Sequence, residues 1–228
     1  MSGIPEWWQR PRRIAVVTEP DSWMYPACRD FVERLNEQGE AAFLRYDPCT
    51  LCDAAVAFYL GCRSLTPQET LARIPRNLVV HASDLPKGRG WSPWVWSILE
   101  GANRIHVCLF EAVEALDAGP VIYREPMDLA GHELIDEIRE QLADTSIALC
   151  QRFLDAPVPP MGEPQTGDPT WRTRRTSADS ALDPNRTIEE QFDLLRVCDN
   201  ERYPAYFDLK GQRYRLRIDK IDPPEEDL

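Results

Sequence analysis

The sequence predicts an α/β fold, an open and mainly parallel sheet with helices packed on it, followed by a small helix-plus-hairpin extension. Three observations predict it. Short apolar, β-branched runs recur at 12–19, 41–46, 54–60, 77–82, 104–112 and 120–129, each the length of a buried strand. Helical patterns at 28–40, 94–99 and 133–154 alternate with them, as in folds built on a parallel sheet. A stretch at 156–185 then carries Pro157, Pro159, Pro160, Pro164, Pro169 and Pro184, a composition that interrupts regular structure. It divides the chain into a core (1–155), a connector (156–185) and the extension (186–228).

Each element has its own physical reason. Residues 12–19 follow a Pro-bearing leader and form a first strand buried on both faces. In 28–40, Phe31, Val32 and Leu35 recur at helical spacing, and Gly39 ends the pattern. Strands at 41–46 and 54–60 follow. Thr66-Pro67-Gln68-Glu69 offers an N-cap, a first-position proline and an acid in the first turn, so a short helix begins there. Leu78, Val79 and Val80 make 77–82 a strand. A helix over 94–99 leads to strands at 104–112 and 120–129. The long helix over 133–154 carries Leu134, Ile138, Leu142 and Thr145 on one stripe. In the extension, Thr187 and Glu190 make a capping box for a helix over 187–197, and 205–218 is a hairpin turning at Lys210-Gly211.

Composition narrows the function classes. With 228 residues and 43% hydrophobic content, one core of ordinary size is expected. A net charge of −12 argues against a nucleic-acid partner, which is held by neutralising phosphates with Lys and Arg. No segment has the length and apolarity of a membrane span, and the leader MSGIPEWWQRPRR lacks the apolar stretch of a signal peptide. Seven scattered cysteines suit a reducing compartment, so a cytoplasmic protein is expected. Cys49 and Cys52 form a CxxC without a second ligand pair, and no metal is expected there.

The chemistry centres on His81 and Asp117. His81 closes an apolar run and opens a segment rich in Pro and Gly, as at a strand end that delivers a side chain into a cleft. Asp117 sits after VEAL and before AG, and reads as a second strand end. An imidazole and a carboxylate brought together make a general acid/base pair. His106 and His132 read as structural or exposed, and Trp91, Trp94 and Trp96 as core packing.

HASDLPKGRGWSP, followed by LDAG, resembles the signature of the formyltetrahydrofolate-dependent formyltransferases, a family that includes glycinamide ribonucleotide transformylases, methionyl-tRNA formyltransferases and sugar N-formyltransferases. His81, Ser83, Leu85, Pro86, Arg89, Gly90, Pro93, Asp117 and Gly119 fall on that pattern, and LGCRSLTPQETL resembles the family's folate-pocket loop. The resemblance implies the family's α/β core, N10-formyltetrahydrofolate as co-substrate, and His81 and Asp117 as catalytic groups. It implies Arg63, Leu65, Val79, Val113, Glu114 and Leu116 as contacts to the folate, and Lys87, Gly88 and Arg89 as the loop lining the acceptor cleft. RVCDNERYPAYF resembles the C-terminal extension of the sugar N-formyltransferases. A nucleotide-linked deoxyamino sugar is therefore the expected acceptor, with the arginines of WRTRR (171–175) available to its phosphates. A homodimer through the free edge of the tail hairpin is a further expectation.

One position departs from the family. Its catalytic asparagine stands two residues before the histidine, where this chain has Val79. Asn77 lies two residues further back on the same strand face. Valine donates nothing to an oxyanion, so Ser83, a backbone N–H or a substrate group is expected to stand in. Two alternatives accompany this departure: a formyltetrahydrofolate hydrolase, for whose usual N-terminal regulatory domain the stretch before Arg12 is too short, and a folate- or nucleotide-binding protein without catalysis. About forty residues of extension are too few for the C-terminal barrel of the methionyl-tRNA enzymes.

Overall fold

In a computed structural model, which describes residues 3–221, the sheet orders its strands β2-β1-β3-β4-β6-β7. These are β1 (Arg13–Val17), β2 (Ala41–Arg45), β3 (Val56–Tyr59), β4 (Arg76–His81), β6 (Arg104–Glu111) and β7 (Val121–Asp128). Pairs β1–β2, β1–β3 and β3–β4 run parallel, while β4–β6 and β6–β7 run antiparallel. The open, mainly parallel sheet expected from the alternation is present. Helices α1 (Tyr25–Glu37), α2 (Gln68–Arg73), α3 (Pro93–Leu99) and α4 (Ile135–Asp155) connect it. The expected first helix starts three residues early because Pro26 supplies its first turn. Pro67, rather than Thr66, occupies the N-cap of α2.

Phe58 of β3 and Phe153 of α4 meet edge-on at 6.1 Å, and Trp8 meets Phe153 edge-on at 5.3 Å. Such T-shaped contacts add to the area buried. A buried ion pair staples the same corner. The Arg12 guanidinium bonds Glu40 through Nε at 3.1 Å and through Nη2, and donates to the Leu154 carbonyl at 2.8 Å. Arg10 reaches the same carboxylate at 2.9 Å. The pair thereby ties the leader, β1, the entry to β2 and the end of α4 to one point.

The connector does not run free through solvent. Glu163 exchanges two backbone hydrogen bonds with Val121, each 2.8 Å, and β8 (Trp171–Arg172) pairs in parallel with β5 (Arg89–Gly90). In the extension, the expected single helix is a 3-10 turn (Glu189–Gln191) followed by α5 (Phe192–Arg196). The capping box at its start is present: the Glu190 N–H donates to Thr187 Oγ1 at 3.2 Å and the Thr187 N–H to the Glu190 carboxylate at 2.9 Å. The hairpin is β9 (Ala205–Leu209) and β10 (Gln212–Leu216), with Lys210 at φ 52° and Gly211 at φ 76°. A two-residue turn needs positive φ at both positions to match the strand twist.

Arg196 docks this extension on the core. It is 1% exposed and donates to the Glu133 carbonyl at 3.0 Å, the Glu133 carboxylate at 3.0 Å and Asn103 Oδ1 at 2.8 Å. No helix among the described residues is long and apolar enough to cross a membrane.

The Arg12–Glu40 pair sets a testable stability. Burial raises the Glu40 carboxyl, but hydrogen bonds from Arg12 and the charges of Arg12 and Arg10 outweigh it and hold it below the usual carboxylate range. Glu40→Ala leaves a buried guanidinium unpaired, which costs about 3–5 kcal/mol. We expect urea unfolding at neutral pH to show that loss. A depressed folded pKa stabilises above the unfolded value and ceases to as pH falls through the folded one. The gap between wild type and Glu40→Ala therefore closes as the pH drops below about 4.5.

Candidate active site

A cavity of about 840 Å³ opens at the carboxyl ends of the parallel strands. Its wall includes Asp21–Met24 after β1, Leu60–Thr66 after β3 and Val79–Ala82 at the end of β4. Strand β1 connects to β2 on one side while its other neighbour, β3, connects to β4 on the opposite side, so the crossovers leaving β1 and β3 diverge. That divergence is the switch point at which open α/β sheets bind ligands.

His81 is the last residue of β4 and pairs across the sheet with Cys108. Its side chain is 10% exposed, and its ring stands edge-on to Phe110 at 6.3 Å. Nε2 lies 2.9 Å from the Gly88 carbonyl. A carbonyl only accepts, so Nε2 carries the hydrogen. Asp117 Oδ2 lies 3.8 Å from that nitrogen and accepts the Gly90 N–H at 2.8 Å. The two groups expected to act together do meet, at a distance just beyond a hydrogen bond.

Asp117 is not at a strand end, contrary to the reading of VEALDAG. It sits in the loop between β6 and β7 with φ 51°, a left-handed conformation that costs a non-glycine residue energy unless the surroundings impose it. Gln165 imposes it. Its side-chain amide donates to the carbonyls of Asp117 and Gly119, both at 2.8 Å, and its Oε1 accepts from Arg89 at 2.7 Å. Gly119 is obligatory, since a Cβ there would come 1.7 Å from the Glu111 carbonyl oxygen. Gly90, at φ 99°, would place a Cβ 2.5 Å from the Arg172 carbonyl.

The expected folate contacts Arg63, Leu65, Val79, Val113, Glu114 and Leu116 all line the cavity. The Arg63 N–H donates to Glu19 at 2.9 Å and its guanidinium pairs with Asp21. Leu65, Val113 and Leu116 are exposed apolar side chains there. Ser83 and the acceptor loop are placed differently. Ser83 Oγ is buried without a partner behind the Gly88 turn, and the residue is absent from the wall. Lys87, Gly88 and Arg89 also stay off the wall. The Gly88 N–H is taken by Thr170 Oγ1 at 2.8 Å and Arg89 by Gln165. The next residues, Gly90 and Trp91, face the cavity instead. Trp94 is core packing as expected, but Trp91 is 37% exposed on the wall, and Trp96 Nε1 donates to the Thr173 carbonyl at 3.0 Å.

The position of the missing asparagine is apolar. Tyr59, Val79 and Phe110 stand in one cross-strand row one step below His81. Asn77 is 8% exposed and committed elsewhere. Its amide donates to the carbonyls of Leu71 and Ile74, both at 2.9 Å, and its Oδ1 accepts the Tyr59 hydroxyl at 2.9 Å. Burial pushes the Tyr59 phenol up to about 12 and the cavity-lining Cys62 thiol also to about 12, so both are neutral near pH 7.

Sequence reasoning missed Gln165, which holds the aspartate loop, together with Arg139 and Ser180 on the wall, where Arg174 and Arg175 of WRTRR also lie. The WRTRR charge run was the signal for those last two; for the glutamine and the serine there was none. Removing the glutamine tests its role. Gln165→Leu leaves two loop carbonyls unpaired, at a cost of about 1–3 kcal/mol. We expect hydrogen exchange to accelerate at 113–119 and at Gly90 while the strands of the sheet keep their protection.

No protein-family model matches the chain. In sequence it is 30% identical over 153 residues to the methionyl-tRNA formyltransferase of Acidiphilium cryptum, covering 66% of this chain and 49% of that protein. The chain thus spans about half the length of the curated relatives it matches. In fold it matches the methionyl-tRNA formyltransferase structure from Clostridium thermocellum with a TM-score of 0.76 at 20% identity, covering 92% of this chain and 94% of the other. It matches a 4-N formyltransferase from Francisella tularensis with a TM-score of 0.71 at 16% identity, covering 93% and 100%. HypX from Aquifex aeolicus, in complex with tetrahydrofolic acid, matches with a TM-score of 0.72 at 16% identity, covering 91% and 38%. By these likenesses the chain is similar in sequence to formyltransferases over about two thirds of its length and has their fold.

Proposed function

We propose that this chain is an N-formyltransferase that moves the formyl group of N10-formyltetrahydrofolate to the amine of a nucleotide-linked deoxyamino sugar. The observation that carries the reading is the His81–Asp117 pair, 3.8 Å apart on the wall of a cavity of about 840 Å³. Pockets for one drug-sized ligand run about 300–1,000 Å³. The folate likenesses supply the donor: a neighbour of the same fold holds tetrahydrofolic acid, and the folate contacts carried over from the family sit together around this cavity. Tyr59, Leu71, Val79 and Phe110 give it an apolar interior, and Val113, Glu114, Leu116 and Asp117 of the following loop line it as well.

The reaction makes one C–N bond and breaks another. The acceptor amine adds to the formyl carbon, an oxyanion develops, and the bond to N10 then breaks. Asp117, held by the Gly90 N–H, is the base positioned for the proton that the amine loses and N10 gains. His81 offers an N–H to the oxyanion, turning from the Gly88 carbonyl to do so. The apolar row Tyr59–Val79–Phe110 adds no donor from the sheet floor, because the Tyr59 hydroxyl is engaged with Asn77. One oxyanion donor is worth about 2.7–4 kcal/mol in preorganised sites, and that is the scale of what Val79 forgoes.

The acidic charge of −12 and the fold likeness to a sugar N-formyltransferase over 99% of that chain favour the sugar acceptor. The sequence relatives favour a second acceptor, methionyl-tRNA.

One assay decides between them. Protein is mixed with N10-formyltetrahydrofolate and, in separate arms, nucleotide-linked amino sugars, methionyl-tRNA or no acceptor, and tetrahydrofolate release is followed. We expect release only with an amino sugar. Release without acceptor would make the protein a hydrolase, and tight folate binding with no release in any arm would sink the transferase reading. His81→Gln and Asp117→Asn are each expected to lower kcat by about 10²–10⁴ while tetrahydrofolate still binds. Val79→Asn returns a donor to the floor and is expected to raise kcat by about 10² with little change in the KM for folate.

A further inference from the structure

The connector contributes a positive wall to the same cavity. Arg174, Arg175, Thr176 and Ser180 line it together with Trp91. Arg174 places its guanidinium carbon 5.0 Å from the centre of the Trp91 ring, an arrangement that orients the cation without neutralising it. Among the described residues neither Arg174 nor Arg175 has a carboxylate partner. Arg63 and Arg139, on the same wall, are neutralised by Asp21 and Asp199. Asp179, the acid nearest in sequence, is also committed elsewhere. Its carboxylate accepts from the Thr176 N–H at 2.6 Å and the Thr176 hydroxyl at 2.9 Å, while only its backbone carbonyl receives Arg175, at 2.7 Å.

Among the described residues two buried donors here, Arg175 Nε and Ser180 Oγ, have no nitrogen or oxygen partner, and the Cys198 thiol is what their side chains meet; Ser180 is 1% exposed. That thiol, raised by burial, is a weak acceptor at best. Donors served only by a thiol are poorly satisfied, and among the described residues three arginines of the cavity wall, Arg174, Arg175 and Arg202, lack a carboxylate partner, Arg202 donating instead to the Asp21 carbonyl at 2.6 Å. The patch is built for an anion.

The backbone ties this patch to the reacting groups. The Gly90 N–H holds Asp117, and Trp91, the next residue, carries Arg174 and donates its own N–H to the Arg172 carbonyl at 3.1 Å. We propose that Arg174 and Arg175, with Ser180 beneath them, are the subsite for the phosphate groups of the acceptor, so that a nucleoside diphosphate moiety is anchored on the connector while its amine reaches Asp117. Two adjacent guanidinium forks and a hydroxyl match the several oxygens of a diphosphate better than a single carboxylate. This assignment rests on the nucleotide-linked acceptor proposed above.

The test is binding, measured without catalysis. Titration calorimetry is run with uridine diphosphate, thymidine diphosphate, inorganic pyrophosphate and, separately, tetrahydrofolate, on wild type, Arg174→Gln and the Arg174→Gln/Arg175→Gln double variant. We expect diphosphate affinity to fall about tenfold in the single variant and about a hundredfold in the double, as charge-assisted bonds of that strength predict, with tetrahydrofolate affinity within about twofold of wild type. Wild-type diphosphate binding should weaken with salt more steeply than the variants' binding. Thermal melts check the fold, and Arg174, exposed and without a hydrogen bond of its own, gives a readout even where loss of Arg175 perturbs the connector. Unchanged diphosphate binding in both variants, or no diphosphate binding by wild type, would overturn the subsite. So would a loss of tetrahydrofolate affinity instead, which would assign the patch to the glutamate carboxylates of the folate. Diphosphate binding that depends on Arg174 without formyl transfer to any amino sugar keeps the subsite and removes the proposed function. Transfer indifferent to both arginines does the reverse.

Discussion

The site depends on one clamp, the amide of Gln165 closed over the loop that presents Asp117. Asp117 occupies a left-handed backbone conformation that the loop would not hold unaided, since such a residue costs on the order of 1–3 kcal/mol. The two hydrogen bonds from Gln165 and the one from Gly90 to the carboxylate offset that cost and set the direction in which the carboxylate points. Because Oε1 of the same amide takes Arg89, the clamp also joins the aspartate loop to the turn that receives the His81 ring. Two groups distant in sequence are thereby kept at a fixed separation by a third that stays off the cavity wall.

This explains why the connector folds back on the core rather than serving as a tether. Its contacts with the core are almost all polar: the Glu163–Val121 bridge, Thr170 on Gly88, β8 on β5, and Trp96 on Thr173. Hydrogen bonds of this kind contribute little net stability each, about 0.5–1.5 kcal/mol, but leaving the groups unpaired costs more. A segment held this way is positioned accurately without a hydrophobic core of its own. The extension beyond it uses the opposite device, one fully buried arginine on Glu133 and Asn103 and a small apolar cluster around Leu195, Cys198 and Ala205.

What was legible in the sequence follows from this division. The strands were legible because burial on both faces demands unbroken apolar runs, and Ile14, Val16, Phe58 and Leu78 are fully buried. The hairpin was legible because Lys210-Gly211 has to adopt positive φ. His81 and Asp117 were legible through a two-part motif, and the folate contacts carried over with it reach the cavity. Ser83, Lys87, Gly88 and Arg89 did not follow, although they belong to the same motif. A motif records which residues build a turn as well as which residues touch a ligand, and these build the turn. The connector was illegible because its role rests on single polar side chains meeting distant backbone groups, a pattern with no period and no local composition of its own.

The resulting cavity is electrically two-sided. Its floor is the apolar row Tyr59–Val79–Phe110, with neutral Tyr59 and Cys62 beside it. Its connector wall carries two arginines, Arg174 and Arg175, that have no carboxylate partner among the described residues. A low-polarity floor strengthens every charge interaction above it, so in the proposed reaction His81 and Asp117 would act on a developing oxyanion in a medium that screens them weakly. The same floor withholds the donor that an asparagine at position 79 would give. The proposed reaction would lean on placement: the more firmly the phosphate end of the proposed acceptor is fixed on the wall, the less the chemistry needs from the floor. An unneutralised wall opposite an unassisted floor is the arrangement that this trade requires.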